Sequence, residues 1–280
     1  MPEKKRPGRP RLTDLRRVVE AVLHIVTTGC QWRQLPRHFP AFTTLQGYFY
    51  RWIREGRWEA MNHILVILSR KQDGRDATPS VGIIDSQSVK TAENGGPRGY
   101  NAGKKIRDRR RHIATDTPGH VVAVVVHPAD IQDRDGAPLA ATRIRSLFPW
   151  LLHLIGDGGY AGEKLRGALA ELGRWTIEIV KRSDRAEGFV VLPKRWIVER
   201  SFAWLGRCRR LTKDVEATIS SSHAWLMIAP YPQSSAENQS NRFLIQTLNE
   251  TLFTSLTHAR QIRVSGACPR DACHPINPKP

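Results

Sequence analysis

The chain has 280 residues, 40% of them hydrophobic, so it is long enough to bury one large core or two smaller ones. Its 44 Lys and Arg residues outnumber 26 Asp and Glu residues and leave a formal net charge of +18. This excess predicts a polyanionic partner, and the absence of any apolar run of about 18 residues favours nucleic acid over a membrane.

The N-terminal residues are basic and lack the apolar core of a secretory signal, which predicts a cytoplasmic protein associated with the nucleoid. Residues 1–13 are interpreted as a basic arm that contains the motif Gly8-Arg9-Pro10. This motif resembles the core of a minor-groove AT-hook, and a disordered basic arm explains it equally well.

Residues 14–70 carry the pattern of a small all-helical domain. Apolar residues at helical spacing predict a first helix over 14–27, a second that is broken by Gly56, and a third over 58–70. Arg51 and Arg54 are predicted to project outward, as in a helix-turn-helix DNA-binding module. A helical bundle with solvated arginines explains the same pattern, so both interpretations stay open.

Residues 71–80 are polar and contain Gly and Pro, which predicts a linker. Strand-like runs follow, the second and third joined by a Thr-Pro-Gly turn, and helices then alternate with strands. The predicted strands are 81–85, 111–116, 121–127, 151–157 and 175–181, and the predicted helices are 134–147, 162–172 and 193–210.

This order predicts an α/β fold in residues 81–228. Early strands joined by short turns are expected to be antiparallel, and later strands joined by helices are expected to be parallel. A mixed sheet of this kind, flanked by helices, is typical of the ribonuclease H-like fold. Residues 229–280 are predicted to form a divergent, partly disordered tail with one helix over 242–259.

Three acidic residues could meet at one edge of this sheet. Asp85 ends the first predicted strand, Asp157 ends the fourth, and Glu199 lies one turn into the last helix. The ordinary explanation of such an acid is a strand-end cap, and Asp130 and Asp133 are interpreted as caps of the next helix.

If Asp85, Asp157 and Glu199 converge, a divalent cation must offset their mutual repulsion. Carboxylate oxygens then predict Mg²⁺ or Mn²⁺, held as two ions. Such a pair can activate a water or hydroxyl nucleophile and stabilise the leaving oxygen of a phosphodiester.

Residues 98–112 are dense in Arg and Lys between the first two predicted strands. A flexible basic loop beside the acids would hold the phosphate backbone of DNA, and a solvated hairpin is the other interpretation. The candidate DNA contacts in this segment are Lys104, Lys105, Arg109 and Arg110.

Four segments together resemble a known family over residues 8–228. They read G-I-I-D-S-Q-S-V-K-T, G-G-P-R-G-Y-N-A-G-K-K, I-G-D-G-G-Y-A-G and V-L-P-K-R-W-I-V-E-R-S-F-A-W-L-G-R-C-R-R-L-T-K-D. They resemble the bacterial DDE transposases of the insertion-sequence-five family.

The resemblance implies roles for individual residues. Asp85 and Asp157 match the two catalytic aspartates, and Glu199 matches the catalytic glutamate. Arg195 matches the arginine of the signature around that glutamate and is a candidate DNA contact. The lysine expected after the glutamate is not matched. Three arginines near its place are expected to take over its contact with DNA: Arg207, Arg209 and Arg210.

The resemblance further implies a DNA transposase that binds terminal inverted repeats and target DNA. It would cleave and join strands by metal-dependent phosphodiester hydrolysis and transesterification, as a homodimer on paired ends and without a membrane partner. The alternative is a catalytically inactive, transposase-derived DNA-binding protein. The chain begins almost on the Gly-Arg-Pro motif, and its end departs from the family pattern after Pro230. Cys268, Cys273 and His274 cluster there without a second ligand pair, so no zinc site is predicted.

Overall fold

The computed structural model describes residues 13–92, 96–101, 105–180 and 194–229. Within these ranges, the helices are α1 (Leu15–Thr28), α2 (Phe42–Arg54), α3 (Arg57–Gln72), α4 (Asp133–Leu147), α5 (Glu163–Leu172), α6 (Arg195–Arg207) and α7 (Ile219–Ile228). The strands are β1 (Val81–Lys90), β2 (Gly99–Asn101), β3 (Ile106–Thr115), β4 (Val121–Pro128), β5 (His153–Gly156) and β6 (Thr176–Ile179). None of the described helices has the length and apolar character needed to cross a membrane.

Helix α1 shows why the N-terminal segment folds as predicted. The Asp14 carboxylate accepts a hydrogen bond from the Arg16 backbone N–H at 2.9 Å and caps the first turn. Val18, Val22 and Ile25 recur at helical spacing and are fully buried. Gly29 ends the helix in the left-handed conformation with φ 70°, which glycine adopts without steric cost.

The described strands form a mixed six-stranded sheet. Its order is β2-β3-β1-β5-β6, and β4 pairs with β3 beyond the short stretch that β2 occupies. β1 is antiparallel to β3, and β3 is antiparallel to β4, whereas β1 and β5, like β5 and β6, are parallel. The predicted ribonuclease H-like mixed sheet is confirmed.

Two strands are longer than the sequence predicted. β1 continues past Asp85 to Lys90, and β3 begins at Ile106 rather than at residue 111. The two pair over their whole length, from Ile83 opposite Thr115 to Lys90 opposite Asp108. The basic segment 98–112 is therefore largely sheet in its described part, and the prediction of a flexible basic loop is wrong there. Backbone pairing across the ladder holds polar residues that hydrophobic alternation could not identify as strand.

Both faces of the sheet are covered by helices. Helices α4 and α5 pack on one face, against residues that include Ile84 and Val125. On the other face α1, α2 and α7 pack against Val124 and Val126, and α6 packs against Ile83. Alternate residues of a strand point to opposite faces, so neighbours such as Ile83 and Ile84 belong to different parts of the core.

The N-terminal helices and the sheet share one hydrophobic core. Asn62 of α3 donates a hydrogen bond to the Val121 carbonyl at 2.9 Å. Arg70, near the end of α3, forms a buried ion pair with Asp116 at 2.7 Å. The helical segment is thus attached directly to the β3–β4 hairpin, and the predicted boundaries of an arm, a helical domain, a linker and a catalytic domain stay predictions.

Candidate active site

The pairing of β1 and β5 brings Asp85 and Asp157 to the same level of the sheet. The parallel register matches Val81 with His153 and ends with Ile83 opposite Ile155. Asp85 lies two residues after Ile83, and Asp157 lies two residues after Ile155. The two aspartates therefore occupy equivalent positions, at the point where β1 and β5 separate. Asp157 also caps a short turn, accepting a hydrogen bond from the Gly159 backbone N–H at 2.9 Å.

Helix α6 carries the third acid across the sheet on the same face as Asp85. Ser201 donates a hydrogen bond to the Gly119 carbonyl at 3.2 Å and joins the helix to the β3–β4 turn. The apolar side of the helix packs on the two central strands through Ile83, Ile155, Ile197 and Val198. This leaves Glu199 exposed on the helix, beside the level of the two aspartates.

Arg195 lies between two of the acids. Its Nη2 atom is 3.4 Å from Asp157 Oδ2, and its Nε atom is 3.2 Å from Glu199 Oε1. The ion pairs join α6 to the turn after β5, although Arg195 and Asp157 are far apart in the sequence. The arginine singled out by the family signature therefore contacts two of the three predicted catalytic acids.

Asp85, Asp157 and Glu199, the acid cluster, interact through their charges. The pKa of Asp85 is raised to about 6, chiefly by burial and to a smaller extent by the negative charges of Asp157 and Glu199. A hydrogen bond from the Ser86 backbone N–H and the charge of Arg195 act in the opposite direction. Asp85 is thus a carboxylate whose negative charge is costly until a cation offsets it.

The donor chemistry of this cluster suits a divalent cation. All three acids offer carboxylate oxygens, the ligands that Mg²⁺ and Mn²⁺ prefer. Within the described ranges, no three His, Cys, Asp or Glu side chains form a complete metal-binding group. The three acids fit a divalent ion by the type of their donor atoms and by their charge. In this structure Arg195 lies between Asp157 and Glu199 and supplies the positive charge there.

Asp133 lies beside the site, which the sequence did not predict. Its Oδ1 atom accepts hydrogen bonds from the Ser86 hydroxyl at 2.5 Å and from Arg110 Nη1 at 2.9 Å. The N-cap of α4 is Gln132, so the interpretation of Asp133 as the helix cap is wrong. No local pattern distinguishes Asp133 from the neighbouring acids, because its partners lie on other strands.

A buried histidine and a buried tyrosine support this side of the site. His112 Nδ1 and the Tyr160 hydroxyl are 3.0 Å apart. Burial, with the nearby positive charges, lowers the pKa of His112 to about 3, so the imidazole is neutral at pH 7. Burial and the charges of Asp133, Asp85 and Asp157 raise the pKa of Tyr160 well above its usual value. Tyr160 stays protonated and can donate its hydroxyl hydrogen.

Two of the arginines predicted to bind DNA are engaged within the protein. Arg109 is fully buried and forms an ion pair with Asp214 at 3.0 Å, so its predicted contact with DNA is wrong for this structure. Arg210 pairs with Glu216 and stacks on the Trp225 ring. Strand alternation turns Arg109 into the core, and sequence composition cannot reveal that direction.

The other predicted DNA contacts differ in exposure. Arg110 is mostly buried against Asp133, whereas Arg207 is exposed and stacks over the Trp204 ring at 3.9 Å. Lys104 lies outside the described residues, as do Cys268, Cys273 and His274. The remaining candidates are exposed side chains that are available to a polyanion: Arg51, Arg54, Lys105 and Arg209.

The sequence matches two family models. A model described as the transposase DDE domain matches residues 76–229, which is more than half of the chain. A second model, described as a transposase of the IS4/5 family, matches residues 1–62. A Burkholderia cepacia protein named as a transposase for insertion sequence element IS402 is 33% identical over 126 residues, which cover 42% of this chain. The chain spans 59% of the length of that relative.

Solved structures with partial likeness include the Mos1 strand transfer complex, with 12% identity and a TM-score of 0.34 over 89% of this chain and 78% of that one. The catalytic domain of Mos1 mariner transposase has 12% identity and a TM-score of 0.33, over 61% and 85% of the two chains. The catalytic core domain of BIV integrase has 13% identity and a TM-score of 0.31, over 56% and 86%. The fold assignment rests on the strand order and pairing described above.

Proposed function

Because the chain belongs to the transposase DDE domain family, we propose that it is a transposase that cuts the terminal inverted repeats of an insertion sequence and joins them to target DNA. The observation that carries the proposal is that Arg195 forms ion pairs with both Asp157 and Glu199, and that its charge also acts on Asp85. Asp85 and Asp157 stand at equivalent positions on adjacent parallel strands, and the charges of Asp157 and Glu199 both act on Asp85.

Asp85, Asp157 and Glu199 are the residues that would hold Mg²⁺ or Mn²⁺, as one or two ions. Bound there, the ions would supply a Lewis acid that activates a water or a 3′-hydroxyl and stabilises the leaving oxygen. Burial keeps the Asp85 carboxylate partly free of water, which strengthens its interaction with any nearby positive charge. Arg195 orients Asp157 and Glu199 through its ion pairs and limits their mutual repulsion.

The excess of positive charge supports double-stranded DNA as the partner. The formal charge of +18 attracts the phosphate backbone without regard to sequence, and binding of this kind weakens as salt rises. Arg51, Arg54, Lys105, Arg207 and Arg209 are exposed and can contact phosphates. A homodimer on two paired ends would let each copy process one end, in the cytoplasm where the nucleoid DNA lies.

A strand-cleavage assay with DNA from the two regions that flank the gene, where terminal inverted repeats are expected, tests this function. Wild-type protein is expected to nick the repeats with Mg²⁺ or Mn²⁺ and not with a chelator. Asp157→Asn is expected to lose nicking by at least about a hundredfold, since it removes a charged group needed in the transition state, while it keeps its affinity for DNA. Glu163→Gln is the matched control, because Glu163 is an exposed acid at the start of α5 that pairs with Arg166.

Nicking that survives unchanged in Asp157→Asn would contradict the assignment of the acid cluster. Binding to the repeats without nicking by any variant, wild type included, would favour the non-cutting DNA-binding protein. Loss of nicking in Glu163→Gln as well would show that any removal of charge near the sheet impairs the protein.

A further inference from the structure

We propose that Asp133 is a positioning residue for the acid cluster, and that it fixes the segments carrying Asp85 and Asp157 from the opposite face of the sheet. The inference rests on the proposed function and extends it to a fourth acid. Asp133 Oδ1 accepts hydrogen bonds from Ser86, the residue next to Asp85, and from Arg110 on the neighbouring strand.

Strand alternation separates Asp85 from Asp133. Ile83 packs toward α6, and Ile84 packs toward α4 and α5. By the same alternation, Asp85 belongs to the α6 face, where Glu199 lies, and Ser86 belongs to the α4 face. Ser86 therefore holds Asp85 on one side through its backbone N–H, at 2.7 Å from Oδ1, and contacts Asp133 on the other side through its hydroxyl.

The position of Asp133 is fixed by close packing of α4 on β3. Gly136, one turn further along α4, lies so close to the His112 ring that a Cβ atom there would be 2.3 Å from Nε2. His112 is fully buried and pairs with Ser86 across the β1–β3 ladder. The start of the helix is thus held against the strand residue opposite Ser86, which leaves the Asp133 carboxylate little freedom.

Asp133 also borders the turn that carries Asp157. A Cβ atom on Gly159 would be 3.0 Å from Asp157 Oδ1 and 3.4 Å from Asp133 Oδ2. A glycine at 159 thus lets the two carboxylates approach the same point of the turn. Asp133 is consequently bonded to the residue after Asp85 and lies close to the turn that follows Asp157.

A role confined to the helix itself does not explain these contacts. Asp133 and Asp135 both lie in the first turn of α4, where a negative charge interacts favourably with the helix dipole. Asp135 pairs with Lys164 at 2.6 Å, away from the acid cluster, whereas Asp133 is bonded to two residues of the sheet. Asp135 therefore provides a matched control with the same charge, helix and turn.

The test measures Mn²⁺ binding by electron paramagnetic resonance of the free ion, with full-length protein and no DNA. Asp133→Ala and Ser86→Ala are each expected to weaken Mn²⁺ affinity by about 10-fold, because either change removes the hydrogen bond that fixes Ser86, whose backbone N–H is bonded to Asp85. Asp135→Ala is expected to match wild type. Asp133→Asn keeps an oxygen that can accept the Ser86 hydrogen bond, so it is expected to recover most of the affinity.

The double variant Ser86→Ala/Asp133→Ala is expected to bind Mn²⁺ no more weakly than Asp133→Ala alone, because both changes break one contact. Equal Mn²⁺ affinities of Asp133→Ala, Ser86→Ala and Asp135→Ala would overturn the inference. The proposed function would still stand if the wild type nicks DNA. A wild type that neither binds Mn²⁺ nor nicks DNA would overturn both. If Asp133→Ala does not fold, Ser86→Ala decides, since it removes a single hydroxyl.

Discussion

Successive arginines on β3 have different partners, because the side chains of a strand alternate between the two faces of the sheet. Arg110 points toward α4 and pairs with Asp133, whereas Arg109 and Arg111 point the other way and surround Asp214. Asp214 also accepts a hydrogen bond from Ser222. The buried ion pairs of Asp214 with Arg109 and Arg111 attach the segment before α7 to the sheet.

Replacing Asp214 by alanine is expected to lower the free energy of unfolding by about 3–5 kcal/mol, because it leaves the buried guanidinium of Arg109 without its counterion. Urea unfolding followed by circular dichroism measures the change. Asp76→Ala is the control, since Asp76 is exposed and its removal is expected to cost less than about 0.5 kcal/mol. If Asp214→Ala lowered the free energy of unfolding by less than Asp76→Ala does, the buried ion pair would contribute nothing to stability.

At the scale of elements, α4 and α5 cover the same face of the sheet and carry glycines in different surroundings, buried in α4 and exposed in α5. Gly136 of α4 sits directly against the His112 ring, whereas a Cβ atom on Gly167 of α5 would meet no other atom within 4 Å. One glycine is required by a close approach and the other is not. The close approach sets where α4 begins, and hence where Asp133 lies.

The two glycines predict opposite effects of the same substitution. Gly136→Ala is expected to destabilise the protein by about 1–3 kcal/mol, because the His112 ring is buried and bonded to Tyr160 and cannot move aside. Gly167→Ala is expected to stabilise it by about 0.5–1 kcal/mol, since alanine restricts the unfolded chain and fits the helix. Thermal unfolding of both variants checks the signs, and a stabilising Gly136→Ala would contradict the packing described.

At the scale of the whole molecule, neutral histidines are built into the shared core. Burial lowers the pKa of His112 to about 3, and burial together with the charge of Arg143 lowers that of His223 to about 4. Burial also lowers the pKa values of His63 and His127 below 6.5. The pKa of Asp85 is raised, to about 6, so this group affects the pH dependence of stability in the opposite direction.

These shifts predict that the protein loses stability as pH falls from 6.5 to about 4. In this range the unfolded histidines bind protons that the folded ones do not, which costs at most about 1.4 kcal/mol per pH unit for each. Among the residues that the structure describes, they outnumber the one carboxyl whose raised pKa acts in the opposite direction, that of Asp85. Urea midpoints measured across the range check the slope, and His223→Gln is expected to make it shallower. A midpoint that is constant or rises on acidification would contradict the prediction.

Much of the architecture follows from local sequence patterns. The periodicity of α1, the Thr-Pro-Gly turn between β3 and β4, and the alternation of helices with later strands are encoded within a few residues. Helix α7 was missed because most of its residues are buried and it lacks the amphipathic pattern of a surface helix. The long polar halves of β1 and β3 were missed because they owe their structure to partners distant in the sequence. The candidate acids Asp85, Asp157 and Glu199 could be selected from their positions after apolar runs and from the family resemblance.

The sequence by itself determined the order of the elements, the mixed sheet and the acids worth examining, since hydrophobic periodicity and turn residues act over short distances. The tertiary structure alone decided which face each strand residue occupies, that Arg195 lies between Asp157 and Glu199, that Arg109 is buried, and that Asp133 lies behind Asp85. The physical reason is that pairing register and helix packing bring together residues from separate segments. A one-residue shift in the pairing of β1 and β3 would have turned strand residues such as Asp85 and Arg109 to the other face.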